Sequence, residues 1–164
     1  MGNAQLVDEE MHARWSAAQP FALTGIACVV AGGLVAAVTS PLGLEMGSWT
    51  AAYLVLVAGV AQLGLGVGQA WIPEELPTAR RRLFELTAWN GGGVAVLVAT
   101  FIRTPLLVAA GGLALLIALG LFLSAVKRPR RVTTHWLATY RVLAIVVAIS
   151  VLVGFVLSVA RHAS

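Results

Sequence analysis

Residues 104–126 read Thr-Pro-Leu-Leu-Val-Ala-Ala-Gly-Gly-Leu-Ala-Leu-Leu-Ile-Ala-Leu-Gly-Leu-Phe-Leu-Ser-Ala-Val and carry no charged side chain. A hydrocarbon core about 30 Å thick takes about 17–25 helical residues to cross. No water reaches backbone N–H and C=O groups there, so a crossing segment must be a helix bonded within itself. Four further runs share this character, at residues 15–44, 46–73, 86–102 and 142–160. All 11 Lys and Arg and all 7 Asp and Glu residues fall outside the runs. The chain therefore reads as an all-α integral membrane protein with five transmembrane helices.

Composition agrees. Hydrophobic residues make up 59% of the 164 positions and charged residues 11%, against roughly 45–50% and 25% in soluble domains. The net charge of +4 comes from basic residues in short connections beside apolar spans. There they set topology and meet anionic lipids, which argues against nucleic acid as a partner. Cys28 is the sole cysteine, so no intramolecular disulfide is expected. Asp8, Glu9 and Glu10 stand where a signal peptide would be basic, and span one is expected to remain as a membrane anchor.

The expected spans are about 21–38, 50–72, 84–102, 105–126 and 141–160. A cytoplasmic or interfacial segment at 1–19 precedes a membrane bundle over 20–161. In the leading segment Val7, Met11, Trp15 and Ala18 recur at helical spacing. Ser40-Pro41-Leu42-Gly43, Pro73 with Pro77, and Arg103-Thr104-Pro105 signal turns. Arg14, Arg80, Arg81, Arg82, Lys127, Arg128, Arg130, Arg131 and Arg141 fall on one side, and only Arg103 and Arg161 on the other. That asymmetry puts the N-terminus in the cytoplasm and the C-terminus outside. A re-entrant 86–126 hairpin would leave the same flanks cytoplasmic; the run lengths favour full crossing. Alanine- and valine-rich spans with Arg preferred to Lys fit a high-GC bacterial genome, and hence a multi-pass protein of the cell inner (plasma) membrane.

Chemistry is sparse. His12, His135 and His162 lack the spacing of a zinc or haem site. No Ser-His-Asp set, phosphate loop or paired carboxylate stands out, so neither an enzyme nor a cofactor is expected. Glu74 and Glu75 read as counter-charges to Arg80, Arg81 and Arg82. No ionisable residue is expected at depth, which disfavours a carboxylate relay. Gln62, Gln69 and Asn90 do fall within spans, and an amide in lipid requires a partner. Each should face another helix or a solute path. Gly64 and Gly68 form a GxxxG face, and Ala110, Ala114 and Ala118 a similar ridge, suited to close helix packing. Trp89, Trp136 and Tyr140 read as a cytoplasmic-side aromatic belt.

Three stretches resemble the acetate uptake transporter family of small six-helix membrane proteins: Ala18-Gln19-Pro20-Phe21-Ala22-Leu23-Thr24-Gly25, Gly59-Val60-Ala61-Gln62-Leu63-Gly64-Leu65-Gly66 and Phe84-Glu85-Leu86-Thr87-Ala88. The likeness covers about residues 17–126; the family's Asn before the first motif and its sixth span are missing. It implies a ring-forming oligomer with a narrow monocarboxylate path in each protomer, in which Gln62 and Asn90 would be the polar positions. Residues and resemblance together point to a transporter or channel component for a small solute such as a monocarboxylate. The alternative is a non-catalytic accessory subunit of a larger membrane complex. Either would contact the bilayer with its anionic lipids, as a homo-oligomer or within a larger assembly.

Overall fold

The computed structural model describes residues 2–130 and 134–163. Helix α1 covers Gly2–Thr39, and α2 covers Gly47–Trp71 with a π-helical stretch at Leu54–Ala61. Helices α3 (Ala79–Phe101), α4 (Pro105–Ala125) and α5 (Thr134–Ala163) follow. Among the described residues five helices are long and apolar enough to cross a membrane, and the chain is a multi-pass membrane protein.

Three boundaries differ from the sequence expectation, one being the start of α5 at Thr134 where about 141 was expected. The leading segment and span one form a single rod of 38 residues, about 57 Å at 1.5 Å per residue. Pro20 sits inside it, although its missing N–H frees the Ser16 carbonyl. Membrane helices tolerate such a proline where packing supports the backbone. Here Arg14, Ala17, Ala18 and Phe21 on either side of it are all buried. Helix α3 starts at Ala79, earlier than the expected 84, because Thr78 caps it by accepting from Arg81 N at 3.3 Å. That shift draws Arg81 into the helix and sets Glu85 more than a turn inside it.

Packing divides the bundle into two hairpins and a fifth helix. α1 lies along α2, α3 packs most extensively on α4, and α5 rests on α4 and the last turns of α2. Each hairpin closes on a glycine pair. A Cβ placed on Gly25 would be 3.0 Å from the Gly59 carbonyl oxygen, and one on Gly59 would be 3.0 Å from that of Gly25. Gly92 and Gly111 meet in the same reciprocal way at 2.8 Å. This contact explains why the poor helix sequence Asn90-Gly91-Gly92-Gly93 remains helical within α3. Gly64 and Gly68 face Leu143 and the Tyr140 ring of α5, whereas Gly66 faces Phe21 of α1. The Ala110, Ala114 and Ala118 ridge divides: Ala118 is buried, Ala114 faces Gly92, and Ala110 is exposed.

Where α1, α3 and α4 meet, Phe122 of α4 packs edge-on against Phe21 of α1 (5.6 Å) and Trp89 of α3 (5.8 Å). At one end of the bundle the 72–78 and 126–130 connections pair: Glu74 N donates to Arg128 O at 3.1 Å, and Arg130 N to Ile72 O at 3.0 Å. Of the residues used to infer topology, the side chains of Arg131 and Arg161 lie outside the described set, as does that of His162 among the histidines.

Candidate functional site

That end of the bundle is tied by Arg14. The last carbonyls of a helix have no intrahelical donor; the Arg14 guanidinium supplies one in the last turn of α2 and bonds two more carbonyls in the connection that follows it. It donates to Ala70 O (2.7 Å), Pro73 O (3.1 Å) and Glu74 O (3.0 Å), while Nε donates to Glu10 at 2.9 Å. Glu10 also meets Arg130 at 3.1 Å. The hydrogen bond from Arg14, joined by the charge of Arg130, holds the Glu10 carboxyl below its ordinary range. One arginine, 4% exposed, thus fixes α1 to the end of α2, and its partner Glu10 reaches on to the 126–130 connection.

A second ionic group lies further inside. Arg81 Nε donates to Glu85 Oε1 at 2.8 Å. The same guanidinium reaches Leu121 O and, at 2.6 Å, Ser124 Oγ of α4. Glu85 is fully buried. It corrects two expectations. An ionisable residue does lie inside the bundle, and the carboxylate that meets Arg81 is Glu85, not Glu74 or Glu75. The physical reason is helical register: Glu85, Trp89, Gly92 and Ala99 share the core-facing side of α3 and are buried together.

Beyond the ion pair, several buried polar atoms lack a protein partner: Glu85 Oε2, both ends of the Gln69 amide, Trp89 Nε1, Gln62 Oε1 and the Tyr53 hydroxyl. Gln69 faces Glu85 across the α2–α3 contact without closing a well-formed hydrogen bond. Trp89 is one turn further along α3. Gln62 is two turns further along α2, at the end of the π-helical stretch, where Nε2 donates to Thr24 Oγ1 of α1. Tyr53 borders the start of that stretch, and its hydroxyl approaches Gly93 of α3. The Tyr53 hydroxyl thus meets α3 eight residues beyond Glu85, about 12 Å away at helical rise. Unpaired buried polar groups are rare because each costs about 1–3 kcal/mol, so several of them at different levels of one bundle are informative. π-Helical turns within α-helices likewise gather at functional positions.

Of the amides singled out in the sequence, Gln62 and Gln69 are buried in this row. Asn90 is half-buried, and its Nδ2 donates to Leu86 O of its own helix at 2.9 Å. Sequence reading missed the part taken by Glu85, Trp89 and Tyr53. Trp89 and Tyr140 also correct the aromatic-belt reading, since both are buried in the core and Tyr140 donates to Phe122 O at 3.0 Å; Trp136 is exposed. His12 lines a shallow surface groove with Asp8, Met11 and Trp15, and His135 is exposed. Among the described residues no group of three or more His, Cys, Asp or Glu side chains comes together. Comparison of the chain with protein-family models, curated proteins and solved structures gave no match.

Proposed function

We propose that the protein is a membrane transport component that conducts a small polar solute along the row from Glu85 and Gln69 past Trp89 and Gln62 to Tyr53. The observation that carries this reading is the run of buried polar atoms without protein partners, placed at successive depths in a bundle otherwise filled by apolar side chains. A group that forgoes its hydrogen bond inside the protein regains it when a passing solute or water supplies one. On the Lys and Arg asymmetry of the sequence the N-terminus is cytoplasmic, which puts the ion pair and the Arg14 clamp at the inner end and anionic lipids around the basic loops. No group here plays a catalytic part.

Purified protein in liposomes should raise the permeation of small polar solutes, tested as a panel of acetate, urea and glycerol, above that of empty liposomes. Gln62→Leu and Gln69→Leu should each lower it. Permeation at the empty-liposome rate for the whole panel would reject the reading.

A second reading, a non-catalytic accessory subunit packed against a larger membrane complex, is favoured by small residues on outward faces. Gly33, Gly91 and Gly120 have nothing within 4 Å of a placed Cβ, and Ala110 is exposed. Such positions allow a neighbouring helix to approach closely. Native mass spectrometry from mild detergent decides it: a stoichiometric larger protein marks an accessory subunit, a homo-oligomer a self-sufficient transporter.

A further inference from the structure

Resting on the path reading above, we infer that the row accepts small neutral molecules that both donate and accept hydrogen bonds, and rejects free anions and cations. The chemistry of the lining carries this. Gln69, Trp89, Gln62 and Tyr53 are uncharged and offer donors and acceptors together: Gln69 Nε2 and Trp89 Nε1 donate, Gln69 Oε1 and Gln62 Oε1 accept, and the Tyr53 hydroxyl does either. The one carboxylate on the row, Glu85, is opposed by Arg81 at 2.8 Å, with Arg82 adding positive charge nearby. Tyr140 lies within electrostatic reach of the same pair, and its hydroxyl is already bonded to Phe122 O.

An anion entering here would meet the open oxygen of Glu85, while the Arg81 guanidinium is engaged by Glu85, Leu121 O and Ser124 Oγ. A cation would meet the Arg81–Glu85 pair, whose charges offset one another, and, deeper in, Trp89 Nε1, which can only donate. Either ion would enter a low-dielectric bundle without compensation, which is disfavoured unless a buried charge is paired. A neutral protic molecule incurs no such penalty and satisfies the unpaired atoms in turn.

The test uses the full chain in liposomes and stopped-flow light scattering with urea and glycerol. In parallel, acetate anion flux is read under a potassium-valinomycin clamp well above the acid's pKa. Urea and glycerol permeation should exceed that of empty liposomes. Gln62→Leu and Tyr53→Phe should each lower it about fivefold, the factor equivalent to one lost hydrogen bond of about 1 kcal/mol. Leu56→Ala, on the outward face, should leave it unchanged and controls for folding. Acetate anion carried as fast as urea, or carried alone, would overturn the neutral-solute inference while leaving a path in place. Flux of neither class would reject the path itself, and the inference with it.

Discussion

Gly91 and Gly92 are neighbours on α3, yet adding one methyl group should have opposite consequences at the two positions. A Cβ on Gly92 would lie 2.8 Å from the Gly111 carbonyl oxygen, 3.1 Å from Ala114 Cβ and 3.2 Å from Leu115 Cγ. The nearest obstacle is backbone, so relief requires α3 and α4 to separate, and α4 also carries the Ser124 and Leu121 contacts to Arg81. Overpacking of this kind costs about 1–3 kcal/mol. A Cβ on Gly91 meets nothing within 4 Å, and Ala is favoured over Gly in a helix by up to about 1 kcal/mol. Gly92→Ala should therefore be less stable than Gly91→Ala by about 2–3 kcal/mol. Equilibrium unfolding of the purified protein in mixed detergent–SDS micelles reads the difference directly. A Gly92→Ala protein as stable as Gly91→Ala would refute the close α3–α4 contact and the helix register built on it.

Three further outcomes follow from the ionic groups. Arg14→Leu should destabilise the protein by about 3 kcal/mol in the same unfolding assay, because the carbonyls of Ala70, Pro73 and Glu74 lose their donor and Glu10 keeps only Arg130; Arg14→Lys should recover part of this. Glu10 is held below its ordinary value of 4.5, so the stability it contributes is present above that value and lost as pH falls through its lowered one. A melting-temperature series across the acid range should show this decline in the parent protein and lack it in Glu10→Gln. Glu85→Leu leaves Arg81 without its counter-charge inside the bundle and should cost about 3 kcal/mol. The Arg81→Leu/Glu85→Leu double variant should be more stable than Glu85→Leu alone, and a double-mutant cycle of unfolding energies checks the coupling.

The five spans are legible because charge is absent from long runs, a signal that survives without any knowledge of packing. The same signal hides the candidate site. The third charge-free run begins at Leu86, directly after Glu85, and so leaves that carboxylate at the membrane's edge. Its spacing from Trp89, Gly92 and Ala99 instead places it on the buried side of α3. Arg14 is obscured in the same manner. The outward stripe of Val7, Met11 and Trp15 is the more apolar one and draws the eye, while the buried side of α1 carries Arg14, Ala17, Ala18 and Phe21. Its guanidinium is satisfied by carbonyls 56–60 residues away, which no local pattern announces. Gln62 and Gln69 can be found by asking which polar groups fall within apolar runs. Trp89 and Tyr53 cannot, because near the ends of spans their type is equally suited to a membrane interface. The glycine pairs Gly25–Gly59 and Gly92–Gly111 are invisible for a different reason. Each depends on the register of two helices, and the sequence holds other glycines, such as Gly91 and Gly120, that face outward.

Cys28 is the sole cysteine, which makes the most direct test of the polar row a cysteine-reactivity scan on a Cys28→Ala background. Single cysteines would replace Tyr53, Gln62 and Gln69 on the row, and Leu56 and Val60, which are 61% and 45% exposed on the outward face of the same helix. Labelling in liposomes by a small, uncharged hydrophilic thiosulfonate reports which positions water reaches. The row as a solute path predicts labelling at 53, 62 and 69 and protection at 56 and 60, where lipid excludes the reagent. Positions 53, 62 and 69 as unreactive as 56 and 60 would contradict it, and would make the buried amides packing contacts in a dry bundle.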